Sequence, residues 1–258
     1  MQNKIIAGID DATKCPCIGS IFLAGVIADE LTIEKWKKAG VKDSKLIAAK
    51  KRDKLAKLIK ETAIGFSIQE IKPDMIDNKT FNLNDWEMLV FLNIVKKIQK
   101  FGHPEELYVD NWETSEKGFR RRLKNLLDKA LKEKLREFKL RFNSRKIKSL
   151  NMIPEHRADE NYTVVGAASI LAKSSSDAQY RKYKRKYGDF GSGSPGDPKT
   201  RFFVWTHRKD PLPIIRQSWN TFKTLSVLDN IEDDYFYMRK QNRLKSASEN
   251  KTNLTSSI

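Results

Sequence analysis

The stretch Ile5-Ile6-Ala7-Gly8-Ile9-Asp10-Asp11 decides how the rest of the chain is read. Its short apolar run, rich in Ile, predicts a buried strand. The run stops on two adjacent carboxylates. Taking an ionised carboxylate out of water is costly unless something compensates it. Two of them at the end of a core strand therefore require a cation, a proton or an exposed strand end. A hard divalent ion of the Mg²⁺ type, which prefers carboxylate oxygen, is the most economical partner. The plain alternative is an Asp-Asp turn that closes the strand.

Outward from that stretch, charge is the next strong signal. Fifty Lys and Arg residues stand against 33 Asp and Glu among 258 residues, a formal net charge of +17. Such an excess points to a polyanion, either nucleic acid or an anionic membrane surface. The longest nearly apolar run, Cys17 to Ala28, is too short to span a bilayer. No apolar segment followed by a small-residue cleavage site opens the chain, so no signal peptide is expected. Cys15 and Cys17 lie too close for an ordinary disulfide and lack a second cysteine pair for a zinc cage. The expectation is a soluble cytoplasmic protein with reduced thiols, built as one large domain or one domain with an appended subdomain.

Further along, Ile18 to Ile27 reads as a second strand returning on the first as a hairpin. Thr32 to Gly40 reads as a helical turn and loop, and Ala48 to Glu61 as a basic amphipathic helix. Ile64 to Ile71 is a third strand. Asn82 to Ile98 is a helix with Trp86, Leu89, Val90, Leu92, Ile94 and Val95 on its apolar stripe. Glu106 to Val109 is a fourth strand that also ends on a carboxylate, Asp110. Lys117 to Arg145 predicts a long basic helix whose Arg120-Arg121-Arg122 run favours nucleic-acid contact over a merely solvated face. Ile147 to Ile153 is a fifth strand leading to Asp159. Val164 to Tyr187 is a long helix with small residues in its first turns, suited to close approach to a sheet. Gly191 to Pro198 is the clearest loop, and Trp205 and Trp219 belong to the packing of a terminal subdomain. The end, from about Asn242, is polar and expected to be disordered.

Three strands followed by strands alternating with helices predict an α/β fold, a mixed sheet flanked by helices. Sites in open α/β sheets lie beyond the carboxyl ends of the strands. Asp10, Asp11, Asp110 and Asp159 each fall at such an end or just before a helix packed on the sheet. Four acids in one groove repel one another strongly at low dielectric. Two divalent ions would relieve that repulsion and give a two-metal site for attack on phosphorus. A basic surface around the groove would hold a phosphate backbone.

Several blocks together resemble one known family. They are Gly8-Ile9-Asp10-Asp11-Ala12 through Pro16-Cys17-Ile18-Gly19 to Ala24-Gly25-Val26, and then Val41-Lys42-Asp43-Ser44-Lys45. Next come Glu155-His156-Arg157-Ala158-Asp159 and Val164 to Lys173, followed by Tyr187-Gly188-Asp189-Phe190-Gly191-Ser192-Gly193 with Asp197-Pro198-Lys199-Thr200. In this order, from Lys4 to about Leu225, they resemble the type 2 ribonucleases H (ribonuclease HII), above all the archaeal and eukaryotic members.

The resemblance implies a ribonuclease H-like five-stranded sheet in residues 1–187, a small C-terminal helical subdomain in 188–241 and a tail in 242–258. It also implies an endonuclease that cleaves the RNA strand of RNA–DNA hybrids with Mg²⁺ or Mn²⁺; the chain is expected to be a monomer. The products would carry 3′-hydroxyl and 5′-phosphate ends. The family's four metal-binding, catalytic acids fall on Asp10, Asp11, Asp110 and Asp159, and Lys45 and Lys199 fall near the bound backbone. Such chemistry does not require a histidine, so His156 and His207 are expected to be structural or backbone-contacting, and the two cysteines to be inert.

The departures from the family pattern concern substrate reading. Asp11 stands where the family has Glu, one methylene longer. Thr13-Lys14-Cys15 replaces a Gly-Arg-Gly whose backbone reads ribose 2′-hydroxyls, which puts two Cβ atoms where backbone approaches substrate. Leu46 replaces a second Lys after Lys45, and Ser194 replaces a Tyr that helps recognise an RNA–DNA junction. Two rivals to the hybrid-directed nuclease follow. One is a diverged, weakly active or inactive relative that binds nucleic acid. The other is a nuclease of the same fold directed at RNA duplex or structured DNA.

Overall fold

The hairpin that opens the chain forms the middle of the sheet. The computed structural model describes residues 4–41, 47–127, 147, 149–234 and 236–239. Two compact units divide the chain: one comprises Met1–Lys14, Ser20–Lys72 and Asn78–Ala178, the other Cys15–Gly19, Pro73–Asp77 and Gln179–Ile258.

In the first unit, β1 (Ile5–Ala12) pairs antiparallel with β2 (Ile21–Asp29), and β2 with β3 (Gly65–Ile71). On its other side β1 pairs parallel with β4 (Glu106–Asp110), which pairs parallel with β5 (Met152–Glu155). The order β3-β2-β1-β4-β5 makes a mixed five-stranded sheet, as the element pattern predicts. Six described helices accompany it: α1 (Glu30–Ala39), α2 (Ala49–Thr62), α4 (Leu83–Ile98), α5 (Glu116–Leu127), α6 (Ala158–Asn161) and α7 (Thr163–Tyr187), the last running on into the second unit. Asp29 and Asn82 cap α1 and α4 by accepting from the amides of Thr32 and Asp85.

The period of two along each strand sorts side chains to opposite faces. Ile6, Ala12, Ala24, Val26, Ala28 and Tyr108 share a hydrophobic cluster with residues of α1, α2 and the first turns of α7. On the other face, a Cβ on Gly25 would meet Ile94 of α4 and Ile9 of β1, which places those two together. The small-residue start of α7 does approach the sheet closely. A Cβ on Gly8 would lie 2.5 Å from the backbone carbon of Val164, a distance only backbone movement relieves. Gly8→Ala is therefore expected to destabilise the protein by about 1–3 kcal/mol. Urea unfolding of the two proteins side by side measures this.

Three expectations are corrected. β1 does not stop at its carboxylates: Asp10 pairs with Ala24, Asp11 with Leu23, and the ladder to β2 continues to Ala12 and Phe22. On the β4 side the pairing ends at Ile9 and Val109, so the acids stand at a strand end toward one neighbour and inside the ladder toward the other. Thr32 to Ala39 is no isolated turn but part of the ten-residue α1, with Gly40 as its C-cap. The fifth strand begins at Met152, after a turn in which the Leu150 amide bonds to the Ile147 carbonyl at 3.3 Å. Its Pro154 is tolerated because β5 is an edge strand. The expected helix from Lys117 onward is described as far as Leu127, with Phe119 and Leu126 buried; the remainder of it, and the tail in 242–258, lie outside the described residues.

In the second unit, α3 (Pro73–Asp77), α8 (Pro198–Thr206) and α9 (Asn220–Ser226) stand with the end of α7 and a 3₁₀ turn, Ile231–Asp233. Its core holds Cys17, Ile18, Phe190, Phe203, Val204, Ile214, Ile215 and Leu225, with Trp205 and Trp219 packed against it. The loop before α8 closes on Asp197, which accepts from the Ser192 amide at 2.6 Å. Gly191 is required there: its φ is +76°, and a Cβ would meet the Asp197 carboxylate at 2.3 Å. No helix among the described residues is long and apolar enough to cross a membrane.

Candidate active site

Two parallel strands and a helix start carry the acids. Asp10 and Asp110 come from neighbouring β1 and β4, and Asp159 lies in the first turn of α6, directly before α7. Asp10 shares the face of Ile6 and Ala12, turned toward α7, and the Ser169 hydroxyl of that helix donates to it. Its Oδ1 also accepts from the Asp11 amide at 2.7 Å. Asp110 is positioned by the Ala158 amide, which donates to its Oδ1 at 2.9 Å. That amide is presented by Arg157 in the left-handed region at φ +60°, a conformation that collects at functional sites.

Electrostatics shows which acids act on one another. Burial pushes the Asp10 carboxyl well above the usual carboxylate range, and the charges of Asp11, Asp110 and Asp159 push it further. Burial likewise raises Asp11, to about 6, against the lowering influence of Lys14 and Lys173. Asp10 and Asp159 are 4% and 3% exposed, so little water screens this repulsion. The four predicted acids thus act on one another electrostatically. Among the described residues, however, no three His, Cys, Asp or Glu side chains stand close enough together to form a ready cage. Asp10 and Asp11 are consecutive on a strand and leave it on opposite faces, so Asp11 does not share the face of Asp10. All four donors offer hard carboxylate oxygen, and their mutual repulsion is relieved by positive charge, so the set fits a divalent cation of the Mg²⁺ or Mn²⁺ type.

One functional candidate is absent from the sequence reading. Glu87 of α4 is completely buried, and its Oε2 accepts from the Lys14 ammonium at 2.7 Å. Its Oε1 has no hydrogen-bond partner. Burial, and next the charge of Asp11, raise its carboxyl to about 8. Sequence did hold a signal: Glu87, Phe91, Ile94 and Ile98 fall at helical spacing on one stripe, so an acid sits where an apolar residue belongs.

The expected substrate-side residues divide between the units. Thr13 sits in the left-handed region at φ +66°, unusual for a β-branched residue, with its hydroxyl donating to the Ser20 carbonyl at 2.8 Å. Lys14 is engaged with Glu87, and with Asn84 at 3.4 Å. Cys15, Ser194 and Lys199 belong to the second unit and are exposed; the Lys199 ammonium is paired with Asp189 at 2.5 Å. Lys45 lies outside the described residues. Cys17 is buried, its thiol pushed up to about 11 by burial, which leaves it unreactive. His207 closes α8, its Nδ1 2.8 Å from the Phe203 carbonyl, and His156 is exposed.

Comparison with known proteins bears on the family and the fold. The sequence profile of ribonuclease HII matches residues 7–222. The chain is 34% identical over 223 residues to a ribonuclease HII of Thermococcus sibiricus, covering 85% of this chain and 90% of the relative. With one from Methanococcus maripaludis the identity is 35% over 241 residues, 92% of either chain. Among solved structures, ribonuclease H2 from Pyrococcus horikoshii superposes with a TM-score of 0.71 at 30% identity, covering 86% of this chain and 97% of that one. A ribonuclease HII from Archaeoglobus fulgidus, solved in complex with PCNA, gives 0.68 at 29%, covering 89% of this chain and 100% of that one.

Proposed function

The chain belongs to the ribonuclease HII family and is a ribonuclease H, and from that premise we propose that it cleaves the RNA strand of RNA–DNA hybrids by metal-assisted hydrolysis. The observation that carries the proposal is the buried Asp10 carboxyl, raised by burial and by the like charges of Asp11, Asp110 and Asp159 that act on it. Bound divalent cations supply charge opposite the phosphate oxygens and a nucleophile from water. Asp10 and Asp110 would share two such ions, Asp11 would hold one, and Asp159 would complete the site. Ser169 and the Ala158 amide keep Asp10 and Asp110 oriented. Water oxygen joins phosphorus, the P–O3′ bond breaks, and a proton passes to the leaving oxygen, which gives 3′-hydroxyl and 5′-phosphate ends. The net charge of +17 supports holding the phosphate backbone.

Purified protein given a labelled RNA–DNA hybrid at one fixed salt concentration tests this. Cleavage that needs Mg²⁺ or Mn²⁺ and leaves the stated ends is expected. Binding of the hybrid without any metal-dependent cut would sink the proposal in favour of a non-cleaving relative. Incision at one ribonucleotide embedded in DNA is expected to be slower than hybrid cutting by roughly tenfold or more, about 1.4 kcal/mol. Thr13-Lys14-Cys15 and the short side chain of Ser194 motivate that expectation. Equal rates on the two substrates would refute it.

A further inference from the structure

We propose that Glu87 is a fifth carboxylate of the site, set on α4 to hold a divalent cation together with Asp11, and that Lys14 keeps its place until the cation arrives. The inference rests on the metal-dependent reading above and extends it to a residue which that reading leaves without a role.

Three observations carry it. The first is facial. Asp10 leaves β1 toward α7, on the side of Ile6 and Ala12. Asp11 leaves toward the other face, that of Ile9, where Ile94 of α4 packs. A cation held by Asp10 and Asp110 on one side therefore leaves Asp11 reaching over the end of the strand with a single methylene. Glu87 lies on the helix that covers Asp11's own face, and Asp11 is the foremost like charge acting on it.

The second is the state of the Glu87 carboxylate. It is completely buried, one oxygen is bound to Lys14 at 2.7 Å, and the other has no hydrogen-bond partner. A buried carboxylate oxygen left unmatched is costly, and a purely structural ion pair between α4 and the end of β1 gives no reason to keep one open. A cation-binding carboxylate does need a free lone pair.

The third is Lys14 itself. Its side chain is 31% exposed while that of Glu87 is 0% exposed, so the ammonium reaches solvent by rotating outward whereas the acid cannot follow it. The lysine also acts electrostatically on Asp11. One ammonium thus serves both acids, the position a divalent ion would take. In place of a long acid on β1, the chain carries a short one there and a second acid on α4.

Mn²⁺ binding to the full-length protein, measured by calorimetry and by the Mn²⁺-induced rise in Tm, reads this without any turnover. Glu87→Gln is expected to weaken Mn²⁺ binding roughly tenfold or more. Adding Asp11→Glu to that variant is expected to restore most of the loss, because the longer acid regains reach. Lys14→Met is expected to tighten Mn²⁺ binding several-fold, since the competing ammonium is gone. If Glu87→Gln merely lowers the metal-free Tm and binds Mn²⁺ like the parent, Glu87 is structural and the inference is overturned. Should Glu87→Gln not fold, Lys14→Met decides: unchanged or weaker binding overturns the inference equally. Asp10→Asn separates the two levels of reading. Loss of Mn²⁺ binding in Asp10→Asn but not in Glu87→Gln removes only Glu87 from the site. Absence of Mn²⁺ binding in the parent itself removes the metal reading along with this one.

Discussion

Asp10→Asn is expected to lower hybrid cleavage by about a thousandfold or more, about 4 kcal/mol of transition-state stabilisation, while raising the Tm of the metal-free protein. The two effects have one origin. Asp10 is buried among like charges, so its carboxylate destabilises the fold until a cation offsets it. Asn keeps the oxygen that accepts from Ser169 and drops the charge. For a protein of this size each kcal/mol regained appears as about 2–4 °C. Scanning calorimetry with EDTA and with Mg²⁺ checks it: the variant should melt above the parent in EDTA and lose the Mg²⁺-dependent gain.

The same charges set the pH dependence without metal. Asp11 titrates near 3.8 unfolded and about 6 folded, and Glu87 near 4.5 unfolded and about 8 folded. Between each pair of values the native state binds more protons than the unfolded one, so stability falls as pH rises through that window. In EDTA, the Tm should therefore decline from about pH 5 to 8. Asp189 and Asp197 are lowered and act oppositely: their contribution, present above 3.8, is lost on further acidification. Saturating Mg²⁺ should flatten the decline. A Tm that rises across the window in EDTA would contradict the repulsion argued for the site.

The second large effect is in the other unit. Asp234→Ala is expected to destabilise by about 3–5 kcal/mol, because it strands a buried guanidinium. Arg201 is 4% exposed and Asp234 3% exposed. Arg201 donates through Nε and, at 2.6 Å, through Nη2 to the two Asp234 oxygens, and through Nη1 to the Pro195 carbonyl at 2.9 Å. Asp234 also accepts from the Tyr237 amide at 3.1 Å. The pair ties the glycine loop to the 3₁₀ turn. Replacing both members with apolar residues of similar volume, Arg201→Met with Asp234→Leu, should recover much of the loss. Guanidinium unfolding of the single and double variants decides this; a single-variant cost below about 1 kcal/mol would place the pair among surface-like bridges.

How far the sequence speaks for the structure follows from what each signal measures. Periodicity reports burial, so β1, β2 and α4 are legible from their apolar runs, and Asp10 and Asp110 from the place where those runs stop. It does not report pairing partners. That the β2 ladder continues past Asp11 to Ala12 depends on Phe22 across the sheet, which no window on β1 contains. Thr13 is illegible for another reason: a β-branched residue argues against the left-handed backbone that the structure imposes there at φ +66°. Glu87 hides inside a strong helical stripe, where one acid among Trp86, Met88 and Phe91 barely disturbs the apolar pattern.

The position of β1 bears on how the enzyme fails. It is the third of five strands, laddered to β2 along its whole length and to β4 as far as Ile9, and the amide of Asp11 is held by its neighbour's carboxylate. Amides in such a strand exchange with deuterium only when the whole sheet opens. Local fraying therefore cannot displace the carboxylates of Asp10 and Asp11 one at a time. Displacement of Asp10 and Asp11 by heat should coincide with the cooperative melting of this unit, not precede it.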